Sequence, residues 1–174
     1  MRGFYIIDQE NVNNLDRALD MLDNSIRELR SVSYNMIPEL LLEFGLKDAL
    51  QEFCDQLSKN KFLKINFNFL GTHKRFESAI ENALYSFATE LTDIAFTHAD
   101  ATEVLIEVIQ EDNYIRLSVK NNGKWVDSSA VNSLRSSGLQ NIFDRVEVLK
   151  GFIHINSQTE KATEIKIEFE IASQ

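Results

Sequence analysis

Apolar and polar residues alternate along the chain in blocks of distinct period. Residues 13–34 place Leu15, Ala18, Leu19, Leu22, Ile26, Leu29 and Val32 at three- and four-residue steps, with Asp16, Arg17, Asp23, Arg27 and Arg30 between them. That spacing predicts a long amphipathic helix. Its stripe is narrow and close to a heptad seam, which needs a partner: its own domain, another helix, or a second copy of the chain. Pro38 predicts the end of this helix and Gly45 a turn, after which Leu46, Leu50, Phe53, Cys54 and Leu57 mark a second helix. Residues 62–70 set Leu63, Ile65, Phe67 and Phe69 against Lys64, Asn66 and Asn68, the pattern of a half-buried strand. From Phe76 to Thr97 the period is helical again, with Ala79, Ile80, Ala83, Leu84, Phe87, Leu91, Ile94 and Ala95 inward. Glu103–Gln110 and Tyr114–Lys120, joined by Glu111-Asp112-Asn113, predict a hairpin. A polar stretch follows from Asn121 to Ser137. Then come a helix over Leu139–Lys150 with Gly151 as its cap, and a second hairpin from Phe152–Ser157 and Glu164–Ile171. The order predicts an α+β fold: one mixed sheet with helices on one face, preceded by a long N-terminal helix.

Composition narrows the classes. With 174 residues, 44% hydrophobic and 26% charged, the chain has ordinary globular values and length enough for a core that needs no disulfide or metal staple. The 18 basic and 27 acidic residues give a net charge of −9, which argues against a nucleic-acid backbone or an anionic membrane as partner. No apolar run reaches the roughly 18 residues of a membrane span, and no signal peptide opens the chain, so a cytoplasmic location is expected. Cys54 stands alone, and three scattered histidines with one cysteine offer no spaced metal-ligand set.

The residues that carry chemistry emerge as an ordered set. Leu29-Arg30-Ser31-Val32-Ser33-Tyr34-Asn35-Met36-Ile37-Pro38 with Leu41 to Leu46 resembles the exit of the dimerisation helix of two-component sensor histidine kinases. Glu90 with His98-Ala99 resembles that family's first ATP-site helix. Val119 to Gly123 resembles its adenine-binding strand and turn, and Gly138-Leu139-Gln140-Asn141-Ile142 with Arg145 the end of its nucleotide lid. The resemblance runs from about residue 13 to the C-terminus. It implies the α/β sandwich of the gyrase, chaperone and histidine-kinase ATPases, with a partial dimerisation-type helix over 1–38 and an ATPase-like domain over 39–174. It also implies a catalytic role for Glu90, with ATP contacts from Asn121, Gly123, Gly138, Leu139 and Thr163.

The sequence departs from the family pattern at four places. The family holds Mg²⁺ through an Asn one helical turn after the residue matching Glu90; here that position is Ile94, which offers no hard oxygen ligand. Asp93 is adjacent, but one residue turns a helical side chain by about 100°. The Asp-x-Gly-x-Gly turn reads Asn121-Asn122-Gly123-Lys124-Trp125. An Asn can still accept a hydrogen bond from adenine, while an indole replaces a glycine that lets backbone approach. The lid region from Val126 to Ser137 has no glycine, and Ser136 or Ser137 can cap the next helix instead. The last glycine-rich turn reads Glu160-Lys161-Ala162-Thr163, keeping only the Thr. These departures predict weak or absent ATP binding and no bound Mg²⁺.

None of His73, His98 and His154 lies on the 13–34 helix, so the phosphoacceptor is missing from this stretch, as in a fragment of a longer kinase or a chain that lacks it. Arg145 reads as a helix-surface residue pairing with Asp144 or Glu147. Three readings stay open. The first is a degenerate, pseudokinase-like protein of a two-component system that docks or homodimerises through the 13–34 helix. The second is an ATP-binding catalytic domain of a sensor histidine kinase. The third is a phosphorelay or sequestering partner that binds a response regulator or another kinase.

Overall fold

The computed structural model describes residues 14–15, 17–18, 21, 39–59, 63–71, 74–123, 139–158 and 162–171. The chain divides into two compact units, residues 1–36 and 37–174. In the first, Asn14, Leu15, Arg17, Ala18 and Met21 are helical, with Leu15 and Met21 exposed. The rest of the predicted 13–34 helix, with the seam from Leu19 onward, and Pro38 lie outside the described residues.

The second unit is built from α1 (Glu39–Phe44), α2 (Leu46–Ser58), β1 (Lys64–Gly71), α3 (Ser78–His98), β2 (Glu103–Gln110), β3 (Tyr114–Asn121), α4 (Leu139–Val148), β4 (Phe152–Gln158) and β5 (Ala162–Glu170). The strands form one sheet in the order β1-β2-β3-β5-β4. β1 and β2 run parallel and every other pair antiparallel. A parallel pair needs a crossover, and α3 supplies it. The mixed α+β sheet expected from the pattern is the one found.

Period-two alternation decides which face is buried. Val104, Ile106 and Val108 of β2, Ile115, Leu117 and Val119 of β3, and Ile165, Ile167 and Phe169 of β5 are all buried. Their register neighbours line up as rows, such as Val108 beside Leu117 and Leu117 beside Ile167. The opposite face carries charge, with ion pairs Lys64–Glu103 at 2.8 Å, Arg116–Glu168 at 2.6 Å and Lys166–Glu164 at 3.0 Å.

Against the apolar face lies α3, with Leu84, Phe87, Ala88, Leu91, Ile94 and Ala95 buried. Phe87 stacks on Phe169, ring centroids 6.5 Å apart. α2 packs on α3 and β1, Phe53 meeting Tyr85 edge-on at 6.3 Å, while α4 packs on α3 and β4.

Local departures from the sequence reading have physical causes. The six-residue α1 is too short to show a period. Ala79, expected inward, is exposed one residue into α3. The core instead takes Tyr85, Thr89 and Thr92, whose threonine hydroxyls donate to the Ser86 and Ala88 carbonyl oxygens one turn back. Gly151 does not provide the left-handed residue of the α4 cap. Lys150 does, at φ 57°. The Gly151 amide donates to the Val146 carbonyl at 2.8 Å and the Lys150 amide to Glu147 at 2.9 Å, the paired bonds of a Schellman end. What Gly151 provides is room, since a Cβ there would stand 2.3 Å from the Phe169 ring.

Candidate functional site

The residues singled out by the sequence fall into two groups on the helix-covered face. The first lies at one end of the sheet. Asn121 ends β3 and sits in register between Val104 of β2 and Thr163 of β5. Asn121 and Thr163 are both buried, Thr163 completely. The alternation that turns Leu117 and Val119 inward carries Asn121 inward with them. Its Oδ1 accepts the Gly123 amide at 3.0 Å, closing the turn on itself. Gly123 is required by close approach, because a Cβ would come 2.3 Å from the Ala99 carbonyl oxygen at the end of α3. Asn122 ties the same turn to β2. Its Oδ1 accepts the Thr102 and Glu103 amides at 3.0 and 2.9 Å, and its Nδ2 donates to Thr102 Oγ1. The Thr163 hydroxyl is buried without a hydrogen-bond partner among the described residues. An orphaned buried hydroxyl is costly unless something satisfies it.

The second group lies on α3. Glu90 is half-buried, and burial pushes its carboxyl above the ordinary carboxylate range; Arg145 opposes that rise and Asp93 adds to it. Arg145 does not make the pairing with Asp144 or Glu147 that its sequence neighbours suggest. It reaches from α4 to α3, its guanidinium 4.9 Å from the Phe87 ring centroid and Nη1 donating to Ser86 Oγ at 2.9 Å. Asp144 accepts from Gln140 Nε2 instead. One turn beyond Glu90, Ile94 is 4% exposed and belongs to the core stripe, while Asp93 is exposed.

Leu139 is the first residue of α4 and is buried, with Ile142 and Val146 behind it. Gly138, Trp125, the lid stretch and Glu160-Lys161 lie outside the described residues, so only part of the expected phosphate side is in view. His98 is the last residue of α3, and His154 is exposed on β4. Among the described residues no cluster of His, Cys, Asp and Glu has the makings of a metal site, and no helix is long and apolar enough to cross a membrane.

One ion pair with a buried carboxylate was missed in sequence. Glu81, 2% exposed, receives Arg75 Nε and Nη2 at 2.8–3.0 Å, and Arg75 also donates to the Leu41 and Leu42 carbonyls. The signal was an acidic residue beside Ile80 on the inward side of a helix.

Comparison with known proteins agrees with this fold. No family model matches the chain. A sensor histidine kinase, MctS, of Rhizobium johnstonii is 25% identical over 82% of the chain and 32% of that protein. DegS of Brevibacillus brevis, a signal transduction histidine-protein kinase/phosphatase, is 25% identical over 88% of the chain and 40% of its own length. The nitrate/nitrite sensor protein NarX of Escherichia coli is 28% identical over 86% of the chain and 27% of that protein. The chain thus spans well under half the length of these curated relatives. Among solved structures, a blue-light activated histidine kinase of Erythrobacter litoralis superposes with TM-score 0.63 at 12% identity, over 89% of this chain and 51% of that one. The Acinetobacter baumannii histidine kinase AdeS gives 0.54 at 17% identity, over 97% and 88%. The sequence relatives are sensor histidine kinases, and the sandwich is the one histidine kinase domains carry.

Proposed function

We propose that the chain is a histidine-kinase-like part of a two-component signalling protein whose ATPase-type domain, residues 39–174, no longer performs magnesium-dependent phosphoryl transfer. In this reading it acts in the cytoplasm through protein contacts: a homodimer through the 13–34 helix, with a response regulator or another kinase as partner. The observation that carries the reading is Ile94. It is 4% exposed and packs in the core one turn after Glu90, where a magnesium ligand would have to project. An aliphatic side chain on that face gives a hard cation nothing to bind.

The base end of the site is better kept than the metal end. Asn121 and Thr163 are register partners, Gly123 holds the turn tight, and the Thr163 hydroxyl is unpartnered among the described residues. That hydroxyl favours a second reading, a nucleotide bound by its base without a metal, with Asn121, Gly123, Gly138, Leu139 and Thr163 in contact and Glu90 idle.

Replacing Ile94 with Asn tests the account. With Ile94→Val as the packing control and folding checked by circular dichroism, magnesium-dependent ATP affinity is expected to rise only in the Asn variant. A folded Asn variant with unchanged affinity overturns the role given to Ile94.

A further inference from the structure

Among the described residues the sheet ends in two edges, β1 and β4, and they differ. β1 opens with Lys64 and closes on Gly71, a charge and a strand-weakening residue of the kind that guard an edge. β4 reads Phe152-Ile153-His154-Ile155-Asn156-Ser157-Gln158, with no acid, lysine, arginine, proline or glycine in it. An edge strand without such guards presents its outward amides and carbonyls as a template for another strand.

The apolar rows on the helix side run out unfinished at this edge. Leu117 and Ile167 continue to Ile153, and Val119 and Ile165 continue to Ile155. The members on β3 and β5 are buried, whereas Ile153 and Ile155 are only half-buried. Beside them a groove of about 510 Å³ opens between α4 and β4, with Phe143, Val146, Gly151 and Ile153 in its lining. Phe152 of the same lining is 68% exposed, and Val148 at the end of α4 is 80% exposed. Two large apolar side chains in water next to an unfinished core mark a contact surface.

Charge decides what fits it. The chain carries a net charge of −9, so two copies repel over most of their surface. The groove's lining holds one acid, Glu147, and one base, Lys150, and neither makes an ion pair among the described residues. A two-fold interface sets a patch against itself, so the patch must be complementary to itself. One acid and one base beside an uncharged strand meet that condition, while a strongly charged partner gains nothing there.

We propose that β4 docks a second copy of this chain, the two β4 strands running antiparallel about a two-fold axis near Ile153. The two sheets then join edge to edge. Each Phe152 lies beside the other copy's His154, and Glu147 of one copy reaches Lys150 of the other. The apolar rows close on one another at Ile153, and each groove is filled from the opposite α4–β4 corner. This interface shares no residue with the 13–34 helix, so the association proposed there and this one fail independently.

The test is sedimentation velocity of the full chain over a range of concentrations, paired with amide hydrogen exchange. Association that grows with concentration is expected, with the amides of residues 152–156 becoming protected in step with it. Phe152→Lys is expected to weaken that association by about tenfold or more, because each substitution enters twice across a two-fold axis. Val148→Lys, at an exposed helix end, is expected to do the same and keeps the test decisive if Phe152→Lys does not fold. Leu22→Lys combined with Ile26→Lys removes the seam of the 13–34 helix and is expected to leave the protection of β4 in place. Failure of that helix to associate would therefore leave this result standing. β4 amides protected in sedimenting monomers, association unmoved by either lysine in a folded chain, or β4 protection lost with the seam would each overturn the proposal.

Discussion

Asn121 on β3 and Thr163 on β5 face each other across one register position, both buried on the helix side of the sheet. Asn121 uses its oxygen to close its own turn on Gly123, while the Thr163 hydroxyl is left unpartnered among the described residues. Two polar residues at the edge of an apolar core, one satisfied and one not, mark where the fold gives up stability.

Thr163→Val therefore follows as the first prediction. Exchanging a buried, unpaired hydroxyl for a methyl group removes a desolvation cost, and the variant is expected to be about 1 kcal/mol more stable in urea unfolding. Loss of stability instead would show that the hydroxyl has a partner in solution.

The Arg75–Glu81 pair makes the opposite prediction. Glu81 is buried, and Arg75 is its bidentate cation as well as the donor to the last carbonyls of α1. Arg75→Met leaves a buried carboxylate without its cation, and a loss of about 2–3 kcal/mol is expected, below the roughly 3–5 kcal/mol of fully buried pairs because Arg75 is half exposed. Hydrogen exchange is expected to show α1 loosening before the sheet does.

Glu90 gives a pH-dependent outcome. Its folded carboxyl lies above the ordinary range because burial disfavours the charge. The folded state thus holds the proton more tightly than the unfolded one. Stability falls as pH rises from the normal carboxylate range through the raised value, and stays lower above it. Glu90→Gln is expected to raise the melting temperature at pH 7 and to leave it unchanged at pH 3. An equal effect at both pH values would contradict the assignment.

Cys54 is buried on α2, and burial, with Asp55 adding, pushes its thiol up to about 12. Alkylation by iodoacetamide at neutral pH is expected only from opened molecules, so its rate should follow urea-induced unfolding. Rapid labelling without denaturant would show local opening of α2.

Most of the fold was legible because its elements are strongly periodic. The 62–70 alternation, the α3 stripe and both hairpins are found close to their predicted bounds, since burial on one face leaves little freedom of register. Which strands pair in parallel was legible only in part: the strand-helix-strand order before β2 permits a parallel crossover and a mixed sheet, while alternation within β1 says nothing of its neighbour's direction. In the candidate site, Asn121 and Thr163, two of the residues that the resemblance implies in ATP contact, are register partners at one end of the sheet. Arg145 was misread because sequence neighbours suggested Asp144 and Glu147, whereas an aromatic face and a serine on another helix hold it. Gln110 and Glu81 were overlooked for a common reason. Each is a polar residue on an inward face, and the period that revealed the core drew attention only to its apolar members.

The most direct test of the central claim is calorimetric titration of the purified chain with ATP and ADP, with and without Mg²⁺. A domain with a buried isoleucine where the proposed reading expects a magnesium ligand is predicted to show no magnesium enhancement, with binding at most weak and metal-independent. Micromolar binding that strengthens on adding Mg²⁺ would contradict it and return Glu90 and Asn121 to a working kinase site.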